Sequence, residues 1–214
     1  MTSYLPHDIQ SLLPRSSPQT ASLPSVGEAA PAFPSSSDIK IVQGGSSGQD
    51  INFATPSKGT LVAFVRHCGC PFAEKEIKLL GQVDKQYGGQ GEVQIVVVQH
   101  SDEEETKKWW ERIGGATSLP HAILIADPQR TLYSSFGVGT LGWGGLFSRS
   151  TLKELTDLKN NEGIVNTTTG AGSWRWQNSG GFAVDREGKV RWVKVAKDAG
   201  DVCPYDGEAV KSLL

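Results

Sequence analysis

Cysteine is scarce in this chain, at three residues among 214, and methionine occurs once. A sparse, odd set of cysteines excludes the dense, even pattern of a small secreted disulfide scaffold and points to a reducing compartment. Excess charge of either sign is missing as well, with 21 Lys plus Arg against 23 Asp plus Glu and a formal net charge of −2. No global field draws such a chain onto phosphate backbones or acidic lipid, so nucleic acid is not an expected partner. Apolar runs such as Ile95-Val96-Val97-Val98 fall far short of the ~20 residues that span a membrane, so no membrane is expected either. Met1 to Pro24 lacks the basic stretch and apolar stretch of a secretory signal, and a cytoplasmic address is expected by default. The chain also lacks a 20–50-residue repeat, a phosphate loop, a nucleophile elbow and a His-Glu-x-x-His metal motif.

What is present reads as one globular unit with an appendage. Hydrophobic residues make up 37% and Gly adds 25 residues, an ordinary globular composition. At roughly 150 residues per domain, the length fits one domain with a tail or insertion. Residues 1–24 hold four Pro and five Ser, which read as an extended N-terminal arm that could pack on a partner. Residues 25–214 are then the domain.

Regular patterning begins near Gly59. Thr60 to Val65 is a short apolar run rich in β-branched residues, as in a strand buried on both faces. Pro71 sits where a helix can start, with Ile77, Leu79 and Leu80 continuing it until Gly88-Gly89. Val93 to Val98 reads as a second buried strand. Ser101 and Glu104 make a capping box for a helix running to about Ile113 and stopped by Gly114-Gly115, and the acidic run Asp102 to Glu105 suits its amino end. Trp109 and Trp110 are adjacent, so only one is expected to face the core. Ala122 to Ala126 reads as a strand, and Gly181–Val184 with Val190–Val195 as a hairpin around Asp185-Arg186-Glu187-Gly188. The sum is an α/β fold with a central mixed sheet flanked by helices, and an insertion at 137–180 before the final hairpin. That insertion carries a helix near Thr151 to Asn160 and the cluster Trp174-Arg175-Trp176, and segments of this kind tend to cover sites.

The chemistry-bearing residues gather in the turn after the first buried strand. His67-Cys68-Gly69-Cys70 lies between the carboxyl end of a strand and the amino end of a helix, where backbone amides favour anions, a thiolate included. A free thiol is only ~3% ionised at pH 7, and a helix terminus contributes about 0.3–1 kcal/mol, so further cations are required. Arg66 and His67 are the nearest. Cys70, just before Pro71, is placed at or near the helix N-cap; Cys68 and Cys203 are the alternative resolving thiols. Zinc is disfavoured because one residue separates the paired cysteines and no second pair exists, so no metal and no cofactor are expected. His7, His100 and His121 read as ordinary polar residues. Pro71, Trp143, Trp174 and Trp176 are candidate substrate contacts.

Three stretches resemble the peroxiredoxin-like proteins of the alkyl hydroperoxide reductase and thiol-specific antioxidant type: Val26 to Phe33 (VGEAAPAF), Val62 to Glu76 (VAFVRHCGCPFAEKE), and Gly180 to Asp185 with Gly188. The likeness is nearest to the atypical branch with a Phe-Val-Arg-His stretch before a Cys. It implies a thioredoxin-like fold, with Cys70 at the peroxidatic position and Arg66 and His67 matching. It also implies a peroxide or small organic substrate, a thiol reductant of the thioredoxin or glutathione type, and homodimers among the assemblies. On that pattern Ala73 replaces the second Cys, and two departures are plain: His67 stands where the usual motif has Thr, with no matching Pro before it, and the thioredoxin Cys-x-x-Cys is changed to Cys-Gly-Cys-Pro. The implied activity is a Cys70 thiolate and sulfenic acid cycle closed by Cys68 or Cys203. Two other readings remain: a repurposed enzyme acting on a bulky organic substrate in an aromatic-lined cavity, and a non-catalytic binding module using the arm or a sheet edge.

Overall fold

The computed structural model describes residues 6–13, 15, 18–34, 38–45, 51–146, 148–170 and 172–214. The arm reading therefore falls partly, at 1–5, 14, 16 and 17, outside the described residues. Six strands form one mixed sheet: β1 (Lys40–Gln43), β2 (Gly59–Phe64), β3 (Val93–Gln99), β4 (Ile123–Ala126), β5 (Gly180–Val184) and β6 (Val190–Val195), in the order β1-β4-β3-β2-β5-β6. β2, β3 and β4 run parallel, while β1 joins β4, β5 joins β2 and β6 joins β5 antiparallel. The centre of this sheet is buried on both faces, which is why β2 reads as an almost unbroken apolar run.

Alternate residues of β2 feed two cores. Leu61, Ala63 and Val65 pack with Ile77 and Leu80 of α2 (Pro71–Val83), with both tryptophans of α3 (Glu103–Arg112) and with Leu119 after α4 (Gly115–Ser118). Val62 and Phe64 face a cluster of Phe53, Phe136 and Phe182, joined by Tyr133 of α5 (Thr131–Ser135). Here the aromatic rings meet edge to face, Phe64 lying 4.9 Å from Tyr133 and 5.7 Å from Phe182. Tyr133 also fixes the strand ends that carry the thiol turn. Its hydroxyl is shared between the carbonyls of Val65 at 2.6 Å and Val98 at 2.7 Å. Tyr133→Phe takes this donor from the buried Val65 carbonyl and leaves that of Val98 with the Val65 amide alone, and is expected to cost about 1–3 kcal/mol, read as a lower denaturant midpoint at unchanged slope.

Several local expectations change. Trp109 and Trp110 are both buried. Trp110 lies over Gly115, where a Cβ would come within 2.5 Å of its ring, and its indole N–H donates to Gln43 of β1 at 2.7 Å, so the edge strand covers what the sheet interior does not. The N-cap of α3 is Asp102, which accepts from the Glu105 amide at 2.8 Å, rather than Ser101. Ser101 is buried with its hydroxyl turned to Cys68 and Ser173. After Val83 the α2 helix widens into a π-helical turn over Asp84–Gly88.

The insertion adds the short α6 (Trp143–Leu146) and α7 (Arg149–Glu162), closed at its base by a bridge between Thr140 and Gln177. The arm is helical at α1 (His7–Gln10) and lies on this insertion of its own chain: Trp174 Nε1 donates to the Leu13 carbonyl at 3.0 Å and Trp176 Nε1 to that of Leu12 at 3.1 Å.

Candidate active site

The thiol turn follows directly from the sheet. Past β2, the Val65 amide still donates to Val98, and Gln99 Nε2 holds the Arg66 carbonyl at 2.8 Å. The turn from His67 closes through the Cys70 amide on the His67 carbonyl at 2.9 Å. Cys70 is the N-cap of the 13-residue α2, with extended backbone at φ −81° and ψ 123°, and Pro71 occupies the first helical position. The Cys70 side chain makes no capping hydrogen bond; the residue is buried, 5% exposed, at the positive end of the helix, with its exposed part on a cavity wall. Gly69 allows the insertion to close over the turn. A Cβ there would lie 2.4 Å from the Thr167 carbonyl oxygen, and the Thr167 amide donates to the Gly69 carbonyl at 3.1 Å.

Arg66, His67, Cys70 and Pro71 are brought together on the wall of one cavity of ≈340 Å³. Its apolar wall comes from Phe72, from Leu152 and Leu155 of α7, from Leu146, and from Ile9 and Leu12 of the arm. Among the described residues Phe72 is the one Phe, Tyr or Trp on this wall, whose apolar part is otherwise aliphatic. Arg175, Asp8, Asn166 and Thr151 add polar groups.

Arg66 is more tethered than the sequence indicates. Its guanidinium donates to the backbone carbonyls of Gln177 at 3.1 Å and Arg175 at 2.8 Å, while its Nε has no hydrogen-bond partner among the described residues. His67 is buried, and burial, then the Arg66 and Arg175 charges, hold its imidazole well below the usual histidine range. It is neutral at pH 7, and its Nδ1 has no partner among the described residues. His100, behind the site, is likewise lowered by burial and then by Arg130, to about 3, and its Nε2 accepts the Trp174 amide at 3.0 Å.

The other cysteines and the tryptophans stand apart from the cavity lining. Cys68 Sγ lies 3.1 Å from Ser101 Oγ in a buried polar niche, and Arg112 donates to the Cys68 carbonyl at 2.7 Å. Burial pushes the Cys68 thiol up to about 12. Cys203 is buried with its Sγ 3.7 Å from the Lys194 carbonyl, and burial, then the Glu76 carboxylate, raises its thiol well above the ordinary range. At pH 8 a thiol with a pKa of about 12 is ~10⁻⁴ ionised, against ~0.2 for a free one. Iodoacetamide is thus expected to label Cys68 and Cys203 at least ~10³-fold more slowly in the folded protein than in urea, followed by peptide mapping.

Trp174 and Trp176 hold the arm, Trp174 also stacking under the Arg130 guanidinium at 4.6 Å. Trp143 is 71% exposed and meets Trp176 edge to face at 4.6 Å. Sequence reasoning passed over Arg175, whose place between two tryptophans was the available signal, and Asp8, which carried none.

A parallel β2-β3-β4 core extended by antiparallel strands, with a cysteine at the amino end of the helix after β2, defines a thioredoxin-like fold of the peroxiredoxin type. The chain belongs to the AhpC/TSA antioxidant enzyme family, whose profile matches residues 78–198, more than half of its length and beginning after Cys70. Solved structures it resembles include a peroxiredoxin-like protein from Aquifex aeolicus, at 17% identity and TM-score 0.55 over 90% of this chain and 88% of that one. Others are peroxidoxin BcpB from Mycobacterium tuberculosis, at 16% and 0.54 over 89% and 94%, and AhpC from Mycobacterium bovis, at 16% and 0.56 over 90% and 92%. No curated protein matches the sequence. No helix among the described residues is long and apolar enough to cross a membrane.

Proposed function

We propose that the chain is a thiol-dependent peroxidase in which Cys70 reduces organic hydroperoxides. One observation carries this reading: Cys70 sits at the open end of α2 on the wall of an apolar cavity that also holds Arg66, Arg175 and His67. The Cys70 thiolate attacks the terminal oxygen of ROOH, forming an S–O bond and breaking the O–O bond. The proton given up by the thiol ends on the departing alkoxide, so RSH and ROOH become RSOH and an alcohol. Guanidinium groups stabilise negative charge as it passes from sulfur to the leaving oxygen. Neutral His67 supplies hydrogen bonding rather than charge.

The sulfenic acid then condenses with an external thiol, of the thioredoxin or glutathione type, releasing water and forming a mixed disulfide. A second thiol cleaves that disulfide and restores Cys70. External resolution is favoured because Cys68 and Cys203 occupy separate buried niches. The cavity volume exceeds what hydrogen peroxide needs, which favours substrates with an apolar body.

The test is stoichiometric cumene hydroperoxide followed by dimedone trapping and peptide mapping. One dimedone adduct on Cys70, absent when glutathione is added before the trap, is the expected result. Oxygen appearing on Cys68 or Cys203 with Cys70 untouched would overturn the assignment.

A further inference from the structure

Among the described residues the cavity lining holds two guanidinium groups and one carboxylate, and that carboxylate comes from the arm. Asp8 Oδ1 pairs with Arg175 at 2.8 Å and accepts the Thr169 amide at 2.7 Å. Arg175 Nε donates to Ser11 Oγ at 3.1 Å, and its own carbonyl is held by Arg66, so the guanidinium is fixed at its base and occupied at its tip by arm residues. The helix that brings Asp8 there is a single turn, too short to persist without its docking contacts. The same turn contributes Ile9 to the apolar wall. An acidic group joined to an apolar one, laid against a guanidinium at the edge of an apolar cavity, has the chemistry of an amphiphilic organic acid.

We propose that Arg175 anchors the carboxylate of an organic acid whose apolar body fills this cavity, and that Asp8 is the group this carboxylate displaces. The guanidinium fork suits carboxylates, so the exchange replaces one charge-assisted pair by another of the same kind. Apolar contact with the wall then favours the ligand over the tethered aspartate. In turnover the ligand is the hydroperoxide-bearing acid, and that part rests on the peroxidase reading above; the binding preference does not.

The first experiment is calorimetric binding of para-isopropylbenzoate and of its neutral amide to the full chain. The carboxylate is expected to bind about tenfold more tightly or better. Arg175→Gln should bring the two ligands within about twofold of each other, Arg175→Lys should keep part of the preference, and Asp8→Asn should tighten the carboxylate alone by several-fold. Equal binding of both ligands, binding of neither to wild type and Asp8→Asn, or a preference that survives Arg175→Gln overturns the proposal.

The second experiment compares kcat/KM for cumene hydroperoxide bearing a para-carboxylate and for its methyl ester. The acid-to-ester ratio should exceed one in wild type and fall in Arg175→Gln. Carboxylate-selective binding without consumption of either hydroperoxide would sink the peroxidase reading and leave the anchor standing. Consumption of both at equal efficiency, with no binding preference, would do the reverse.

Discussion

Cys70→Ser is expected to abolish thiol-dependent consumption of cumene hydroperoxide, lowering kcat/KM by about 10³-fold or more, because a serine hydroxyl stays protonated at neutral pH and is a poor nucleophile. The variant carries its own folding control. Cys70 is an N-cap residue that makes no capping hydrogen bond, and serine at such a position caps well, so thermal stability should hold or rise by about 0.5–1 kcal/mol. Loss of activity with stability intact then separates chemistry from folding. Cys68→Ser and Cys203→Ser should keep most of the turnover with glutathione in excess, since each thiol lies in its own niche. Substantial residual activity in Cys70→Ser, or its loss in Cys68→Ser alone, would contradict the mechanism.

Glu76→Gln is expected to change the pH dependence of stability. Glu76 is fully buried in α2 and accepts the Tyr205 hydroxyl at 2.8 Å. Burial raises its carboxyl to about 8, with the Tyr205 and Cys203 hydrogen bonds acting the other way. In the unfolded chain a glutamate titrates near 4.3. Between those values the native state holds a proton that the unfolded state has lost. Stability is therefore highest below the unfolded value, falls as pH rises toward about 8, and levels off beyond it. At about 1.4 kcal/mol for each unit of difference, the window amounts to several kcal/mol. Glutamine stays neutral throughout and its carbonyl oxygen still receives the Tyr205 proton. Urea unfolding should show wild type losing stability between about pH 5 and about pH 8, while the variant stays flatter and exceeds wild type by roughly 2–4 kcal/mol at the upper end. Parallel profiles would show that Glu76 is ionised in the native state at every pH tested.

Those elements whose burial leaves a periodic trace were readable in the sequence. The runs of β2 and β3, the Pro71 helix start and the Asp185–Gly188 hairpin fall where patterning places them, because buried strands and turn residues are locally encoded. β1 escaped notice. It is four residues long, only partly buried and on the sheet edge, so neither length nor alternation marks it. Helical facing accounts for only one of Trp109 and Trp110 in the core, whereas Gln43 and Gly115 make a second buried surface for Trp110. The turn from Arg66 to Pro71 was legible because strand end, thiol and helix start adjoin in sequence. The Asp8–Arg175 pair spans 167 positions, and no local rule connects two such residues before the chain has folded.

The placement of β5 bears on how the protein is made. β2 lies inside the sheet, and one of its flanks is completed only by β5, which is encoded roughly half a chain later. At about 5–20 residues per second, a ribosome takes several seconds to traverse that interval. Throughout it, the nascent β2 shows an open flank of unpaired amides and carbonyls along a largely apolar strand, an invitation to pairing with neighbouring nascent chains. Recovery of correctly folded product should therefore be limited by crowding on the polysome, and it should improve when translation is spaced or a holding chaperone is abundant.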